Sequence, residues 1–195
     1  MDYLKENNIS WWTIPFAFVL ALSPRIYFGI LGPGSGVYDP RNPRKFGASA
    51  RRSTTLNAVT TARIERSEFA LNNSIENLPL FAVAVLAANT EGVDLETRNL
   101  LSILYLSIRI FYIWVYIWGQ EYEWLHPLTR TMVWFCGNIV LAYLYLLPGI
   151  KHNVLEQERS YWLAEAVKPP PGYTLTEFMD NLGRHNQKSL PAPEL

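Results

Sequence analysis

The sequence has very little cysteine, since Cys136 is the only one among 195 residues. A disulfide within the chain needs a second cysteine, and a cluster of thiolate metal ligands needs several, so both are excluded. Because Cys136 lies inside a long apolar run, we expect it to pack as a small apolar side chain. We predict no metal site elsewhere in the chain.

An excess of charge is also absent, since Lys and Arg together number 17 and Asp and Glu together also number 17. Proteins that bind nucleic acids usually present a stripe of cations to the phosphates, often with aromatic residues between them. No such stripe is present here. We therefore expect no nucleic-acid partner.

Apolar residues make up 49% of the sequence and are concentrated in four runs. A helix of about 20 apolar residues crosses a bilayer. The runs therefore predict an all-α fold, a bundle of four transmembrane helices within residues 1–150, followed by a polar C-terminal tail with short helices at 151–195. The predicted spans are at about residues 11–31, 66–88, 99–118 and 130–150. No small-residue cleavage site follows the first run, so we expect a retained span and not a removed signal peptide.

The second run differs from the others because its purely apolar part, residues 78–88, is too short to cross a bilayer alone. It crosses only if its polar half is sheltered by the other helices. The alternative is a three-span protein in which this segment lies at the membrane surface as an amphipathic helix.

The polar half of the second run places Arg66, Phe69, Asn73 and Glu76 within an arc of roughly 80° on an α-helix. Exposing such a face to hydrocarbon costs several kcal/mol per polar group, so it should face protein, a polar ligand or a water-filled cleft. One interpretation is a binding site. The other is that these side chains bond to neighbouring helices and only hold the bundle together.

The third run carries a second polar stripe, because Arg109, Tyr112 and Tyr116 fall within about 60° of arc. Tyrosines in membrane helices commonly serve as interface anchors or packing residues. An intramembrane arginine normally has a charged or polar partner, and Glu76 is the partner that we expect for Arg109.

Charge in the connections indicates the topology. The connection at residues 32–55 is rich in arginine, whereas residues 89–98 carry three acidic residues and one arginine. By the positive-inside rule, the first connection is cytosolic and the second lies on the opposite side. The polar face that begins at Arg66 then lies at the cytosolic end of its helix.

These motifs resemble the MAPEG family, the membrane-associated proteins of eicosanoid and glutathione metabolism, which include the microsomal glutathione transferases. The resemblance covers roughly residues 10–150. The matching residues are Arg66, Ala70, Asn73, Glu76 and Pro79 in the second run, Arg109, Tyr112 and Tyr116 in the third, and Pro127, Arg130 and Trp134 at the start of the fourth.

The resemblance implies a homotrimer in the endoplasmic reticulum that holds glutathione, as co-substrate, between neighbouring subunits near the cytosolic face. It implies a glutathione-dependent transferase, or a peroxidase or isomerase, that acts on lipophilic electrophiles. Two alternatives stay open: a non-catalytic protein that binds a lipid or presents it to a partner, and an enzyme that no longer uses glutathione. Phe69 and Leu71 depart from the pattern of the leukotriene synthases of the family and favour the non-catalytic alternative.

The resemblance also implies a role for each matching polar residue. Arg130 corresponds to the catalytic arginine that lowers the pKa of the glutathione thiol. The implied binding residues are Arg66 and Arg109 for the carboxylates, Asn73 for the peptide part, Glu76 for the ammonium group or for Arg109, and Tyr112 and Tyr116 for the backbone and carboxylate oxygens.

Overall fold

The computed structural model describes residues 2–166, 168–169 and 171–178, and none of these residues forms a β-strand. Its α-helices of more than one turn are α1 (Asp2–Glu6), α2 (Ser10–Arg25), α3 (Phe46–Arg52), α4 (Ala58–Thr90), α5 (Leu95–Ile117) and α6 (Thr129–Ala166). A π-helical segment, Ile26–Leu31, follows α2 directly, and short 3-10 turns lie at Ser35–Val37, Pro43–Lys45 and Gly119–Glu121.

Within the described residues, four helical segments are long and apolar enough to cross a membrane, judged by length and composition: Ser10–Leu31, Ala58–Thr90, Leu95–Glu121 and Thr129–Glu165. The prediction of an all-α bundle with four spans is thereby confirmed. α4 is a single helix of 33 residues, with Pro79 inside it. Its polar and apolar halves are therefore joined without a break, as the four-span topology requires.

Side-chain caps define where the helices begin. The Asn57 side chain accepts a hydrogen bond from the Thr60 backbone at the start of α4, and Asp94 does the same for Thr97 at the start of α5. The first turn of α2 is capped from another helix, because Asn99 Oδ1 of α5 accepts hydrogen bonds from the backbone nitrogens of Ile9 and Ser10 at 3.0 and 2.9 Å. These bonds satisfy donors that a helix leaves free at its N-terminus.

Two apolar cores lie along the bundle. One contains Phe81 of α4 stacked on Tyr105 of α5, with ring centroids 4.3 Å apart. The other contains Phe28, Ile64 and Ile117, and it packs beside the polar residues of the predicted site. The second core therefore positions the ends of α4 and α5 that carry the site.

Two segments differ from what their composition suggests. The cationic connection between α2 and α4 is folded, since Phe46 of α3 is almost fully buried in the second core. The helix of the fourth predicted span does not stop at 150, because α6 continues through Pro148 to Ala166. Proline is tolerated there because neighbouring groups can satisfy the freed backbone carbonyl.

The chain divides into two compact units, Met1–Lys151 and His152–Leu195. In the second unit, α6 continues to Ala166 and residues 175–178 form a helical turn. The part of the predicted tail at 179–195 lies outside the described residues.

Candidate functional site

Arg109 is the most buried charged side chain of the predicted site, with 5% of its surface exposed. Its Nη2 donates hydrogen bonds to Asn73 Oδ1 and Ser74 Oγ, both at 3.0 Å. Its guanidinium carbon lies 4.7 Å from the centroid of the Tyr112 ring, which is a cation–π contact. Neutral groups of α4 and α5 thus hold this buried cation.

The bond from Arg109 also sets the orientation of the Asn73 amide. An amide oxygen accepts hydrogen bonds and an amide nitrogen donates them. Because Arg109 takes the Oδ1 atom, the Nδ2 atom of Asn73 remains as a donor for a ligand. Asn73 is half-buried, and it borders the cleft described next.

One cleft brings together four of the predicted site residues. It has a volume of about 280 Å³ and is lined by Asn73 of α4, Tyr112 and Tyr116 of α5, and Arg130, Thr131 and Trp134 of α6. We call it the three-helix cleft. The rings of Tyr112 and Tyr116 meet edge to face at 5.5 Å, and the guanidinium carbon of Arg130 lies 4.8 Å from the centroid of the Tyr116 ring. The cleft therefore offers hydrogen-bond donors and one cation to a ligand.

Glu76 lies outside this cleft, and the prediction that it pairs with Arg109 is wrong. Arg109 reaches α4 between Asn73 and Ser74. On a helix, Glu76 lies about 60° from Asn73 on the side away from Ser74, so it points elsewhere. It instead borders a separate cleft of about 420 Å³, together with Arg25, Arg44 and Glu68.

Arg66 is also placed differently from the prediction that it organises the cleft with Arg109. Its Nη2 donates to Glu121 Oε1, and Arg63 donates to the same carboxylate with Nε at 2.9 Å and Nη2 at 2.5 Å. Arg66 Nε is buried and has no hydrogen-bond partner among the residues that the structure describes. Glu121 thus joins the start of α4 to the turn after α5 and holds Arg66 away from the three-helix cleft.

The sequence analysis missed the ion pair between Arg25 of α2 and Glu68 of α4, whose side chains are 20% and 13% exposed. Arg25 Nε donates to Glu68 Oε1 at 2.9 Å, and a second bond joins Nη2 to Oε2. Charges in apolar spans need partners. Pairing the charges at the same end of the first and second spans would have found this contact.

The two residues that depart from the family pattern do not line the three-helix cleft. Phe69 is 54% exposed, whereas Leu71 is buried in the packing of α4. Neither side chain therefore fills the cleft. Among the residues that the structure describes, no group of three or more His, Cys, Asp and Glu side chains is placed to hold a metal ion.

The comparisons with known proteins bear on the family. The sequence matches the MAPEG family over residues 12–150, which is more than half of the chain. Comparisons with curated proteins and with solved structures gave no significant match. The matched range covers the four predicted spans except residue 11, and it contains every residue of the three-helix cleft. The chain therefore belongs to the MAPEG family, whose members are membrane proteins of eicosanoid and glutathione metabolism.

Proposed function

We propose that this protein is a membrane-bound, glutathione-dependent transferase that acts on lipophilic electrophiles, with glutathione held in the three-helix cleft. The observation that carries the proposal is that Asn73, Tyr112, Tyr116 and Arg130, from three different helices, line one cleft. These residues lie far apart in the sequence, and packing of the helices is what brings them together.

The chemistry of the cleft suits glutathione, which has two carboxylates, two peptide groups, an ammonium group and a thiol. Asn73 Nδ2 would donate to a peptide carbonyl, and the hydroxyl groups of Tyr112 and Tyr116 would donate to backbone or carboxylate oxygens. Arg109 acts as a positioning residue, because it contacts Asn73 and Tyr112, which both line the cleft.

Arg130 would act on the thiol. A thiol with a pKa of about 8.5 is mostly protonated at neutral pH, and a neighbouring cation lowers that pKa and raises the fraction of thiolate. The thiolate would then attack an electrophile that arrives from the bilayer, while the thiol proton passes to solvent. Stacking of the Arg130 guanidinium on Tyr116 would keep the cation at the open side of the cleft.

The proposal includes a homotrimer in the endoplasmic reticulum with the cleft on the cytosolic side. Two observations support it. Phe69 and Glu76 are exposed on α4 of a single chain, and a neighbouring copy would cover them. Arg44, Arg51 and Arg52 are exposed on the connection that leads into α4, as the positive-inside rule expects of a cytosolic connection.

The first test is glutathione binding to the purified protein in nanodiscs by calorimetry, with the ultraviolet absorbance of the thiolate followed in the same sample. Arg130→Gln should retain binding within about threefold but lose the thiolate signal, because it removes the cation and keeps a donor. The matched control is Arg52→Gln, an exposed arginine outside the cleft, and it should change neither. Absence of binding to the unaltered protein at millimolar glutathione would refute the proposal.

A second candidate function is the binding of a lipid without catalysis. It is favoured by Phe69, which is exposed on α4 at a position where the leukotriene synthases of the family have an arginine. This function predicts lipid retained through purification and no thiolate signal. Mass spectrometry of lipids extracted from the protein, compared with the Phe69→Arg variant, separates it from the enzyme. Loss of the lipid in that variant would support the second function.

A further inference from the structure

The connection between α2 and α4 carries a cluster of exposed cations on one short stretch of chain. They are Arg41, Arg44, Lys45, Arg51 and Arg52. We call residues 41–52 the basic platform. The function proposed above assigns no ligand to these charges.

Acidic residues neutralise little of this charge. Arg51 Nε forms an ion pair with Glu65 Oε1 of α4 at 2.7 Å. Asp39, which precedes the platform, accepts hydrogen bonds from the Arg41 backbone nitrogen and from Asn42 Nδ2, so its carboxylate is engaged in the turn. Within the part of the chain that the structure describes, the side chains of the other four cations form no ion pair or hydrogen bond. The platform therefore presents positive charge that the described residues leave unpaired.

The basic platform is packed against the bundle. Phe46 and Ala50 are almost fully buried in the second apolar core, and the Tyr38 ring meets the Phe46 ring edge to face at 5.3 Å. The Gly34 backbone nitrogen donates to the Phe28 carbonyl at 2.8 Å, and a Cβ atom added at Gly34 would lie 2.6 Å from Phe46 Cζ. Glycine at position 34 thus lets the platform pack directly against the end of the first span.

The buried and the charged residues lie on different faces of α3. On a helix, Phe46 and Ala50 lie within about 40° of each other. Lys45, which has helical backbone angles just before α3, lies within about 20° of Arg52 on another face, roughly 130° away. Ala48, which lies beside them, is also exposed. One face of α3 therefore anchors the platform, and another presents two unpaired cations.

The contact with α4 places the platform at the depth of lipid headgroups. Arg51 contacts Glu65, and the helix from Glu65 to its end at Thr90 is about 38 Å long. A bilayer is about 30 Å thick in its hydrocarbon core and about 40–45 Å thick with both headgroup layers. When the Thr90 end lies at one surface of the membrane, Glu65 and the platform lie in the headgroup layer of the other.

Apolar side chains at the end of the first span complete this surface. The span ends at Leu31, and the side chains of Ile30 and Leu31 are both exposed. The platform packs against the same end of this span through Phe28 and Phe46. A lipid beside the platform would therefore place its acyl chains on apolar side chains and its headgroup at the cations.

We propose that the basic platform binds the headgroups of anionic phospholipids in the leaflet that surrounds the start of α4. Arginine and lysine bind phosphate and carboxylate oxygens through charge-assisted hydrogen bonds. Each cation held near an anionic membrane surface strengthens binding about fivefold. The proposal does not depend on glutathione binding, since no residue of the platform lines the three-helix cleft.

The test measures binding of dioleoyl phosphatidylserine and of dioleoyl phosphatidylcholine to the detergent-purified protein by native mass spectrometry, which resolves bound lipids by their mass. We expect the unaltered protein to bind phosphatidylserine more tightly. The double variant Lys45→Gln with Arg52→Gln should weaken phosphatidylserine binding by about fivefold for each cation removed, and should leave phosphatidylcholine binding unchanged.

The matched control is the double variant Lys5→Gln with Arg159→Gln. It removes the same amount of charge, but Lys5 is paired with Glu96 and Arg159 with Glu156. The control should therefore keep the preference for phosphatidylserine. Circular dichroism should show unaltered helix content in both double variants, because all four substituted side chains are exposed.

The inference would be overturned if the unaltered protein bound both lipids equally, if the platform variant kept the preference, or if the control lost it as well. Excess soluble phosphoserine should not displace phosphatidylserine. Displacement would reveal a site for a soluble anion and would also overturn the inference. Glutathione binding to the platform variant should equal that of the unaltered protein, so the proposed function is tested separately.

Discussion

Replacing Arg109 by methionine separates the role of its charge from the role of its volume. The guanidinium makes two hydrogen bonds of 3.0 Å and one cation–π contact, and it is almost fully buried. Methionine fills a similar space without charge. We expect Arg109→Met to fold and to lose most of the affinity for glutathione.

Estimates of the free-energy terms indicate that Arg109→Met changes the stability of the fold only slightly. The lost cation–π contact costs about 0.5–2 kcal/mol, and hydrogen bonds from a charged group contribute about 1.5–3 kcal/mol each. The variant also gains stability, because it avoids the several kcal/mol that removing a cation from water costs in a buried site. These terms nearly cancel, so the free energy of unfolding should change by no more than about 2 kcal/mol. Arg109→Ala should lower the free energy of unfolding by about 2–5 kcal/mol more than Arg109→Met does, because alanine leaves a cavity.

Binding has no such compensation. Without Arg109 the Asn73 amide is free to turn, and a ligand loses a charge-oriented donor contributing about 1.5–3 kcal/mol. The dissociation constant for glutathione should therefore rise by about 10- to 100-fold. Calorimetry measures the affinity, and titration with sodium dodecyl sulfate followed by circular dichroism measures the unfolding.

The matched control is Arg98→Met, on the same helix, since the Arg98 side chain bonds to the Val93 carbonyl near the start of α5. It should leave glutathione affinity unchanged. The reasoning would be refuted if Arg109→Met bound glutathione as tightly as the unaltered protein, or if it failed to fold while Arg98→Met folded.

Three further changes test the packing that supports the site. Asn99→Ala should lower the free energy of unfolding by about 3 kcal/mol, because the fully buried Asn99 side chain makes four hydrogen bonds. Arg25→Leu should lower the free energy of unfolding by about 3 kcal/mol because it leaves Glu68 unpaired. Adding Glu68→Leu should restore most of that stability. Hydrogen bonds from Thr97 hold the pKa of the Asp94 carboxyl below its usual value, so its stabilisation is present above about pH 3.9 and is lost as the pH falls through the lowered pKa. Asp94→Asn keeps the cap and should remove that acid-dependent loss.

Each of these has a clear contradicting outcome. Asn138→Ala, which removes a half-buried amide of α6 that makes one hydrogen bond to the Trp134 carbonyl, is the control for Asn99 and should lower the free energy of unfolding by much less, about 0.5–1.5 kcal/mol. A double variant of Arg25 and Glu68 that is no more stable than Arg25→Leu would contradict the ion pair. Thermal unfolding in a neutral detergent should show acid destabilisation that is larger for the unaltered protein than for Asp94→Asn. Identical pH profiles would contradict the role of the Asp94 carboxylate.

The fold was predictable because hydrophobic runs of membrane length leave few alternatives. Backbone groups in lipid must be satisfied within a helix, so length and composition alone indicated four helices. The end of the fourth helix was not predictable from polarity. Residues beyond Pro148 are polar, but polar residues form backbone hydrogen bonds within a helix as well as apolar residues do. A change from apolar to polar residues therefore does not mark the end of α6.

The sequence predicted which site residues share a helix face, but it did not predict which residues pair between helices. The stripe of Arg109, Tyr112 and Tyr116 is a property of one helix, and the structure keeps it on one side of α5. The partner of Arg109 depends on how α4 is rotated about its axis relative to α5. A rotation of about 60° decides between Asn73 and Glu76, and no periodicity in either helix encodes it.

The placement of Arg130 depends on the connection before it. Arg130 comes 14 positions after Tyr116 in the sequence, yet its guanidinium lies over the Tyr116 ring. The connection begins with the turn at Gly119–Glu121, and a Cβ atom at position 119 would lie 2.8 Å from Leu125 Cδ2 and 3.3 Å from Val115 Cγ1. Folding the connection onto α5 brings α6 back beside the three-helix cleft. If this packing holds Arg130 in place, Gly119→Leu should displace Leu125 and weaken the thiolate signal, whereas an unchanged thiolate signal would contradict that role of the connection.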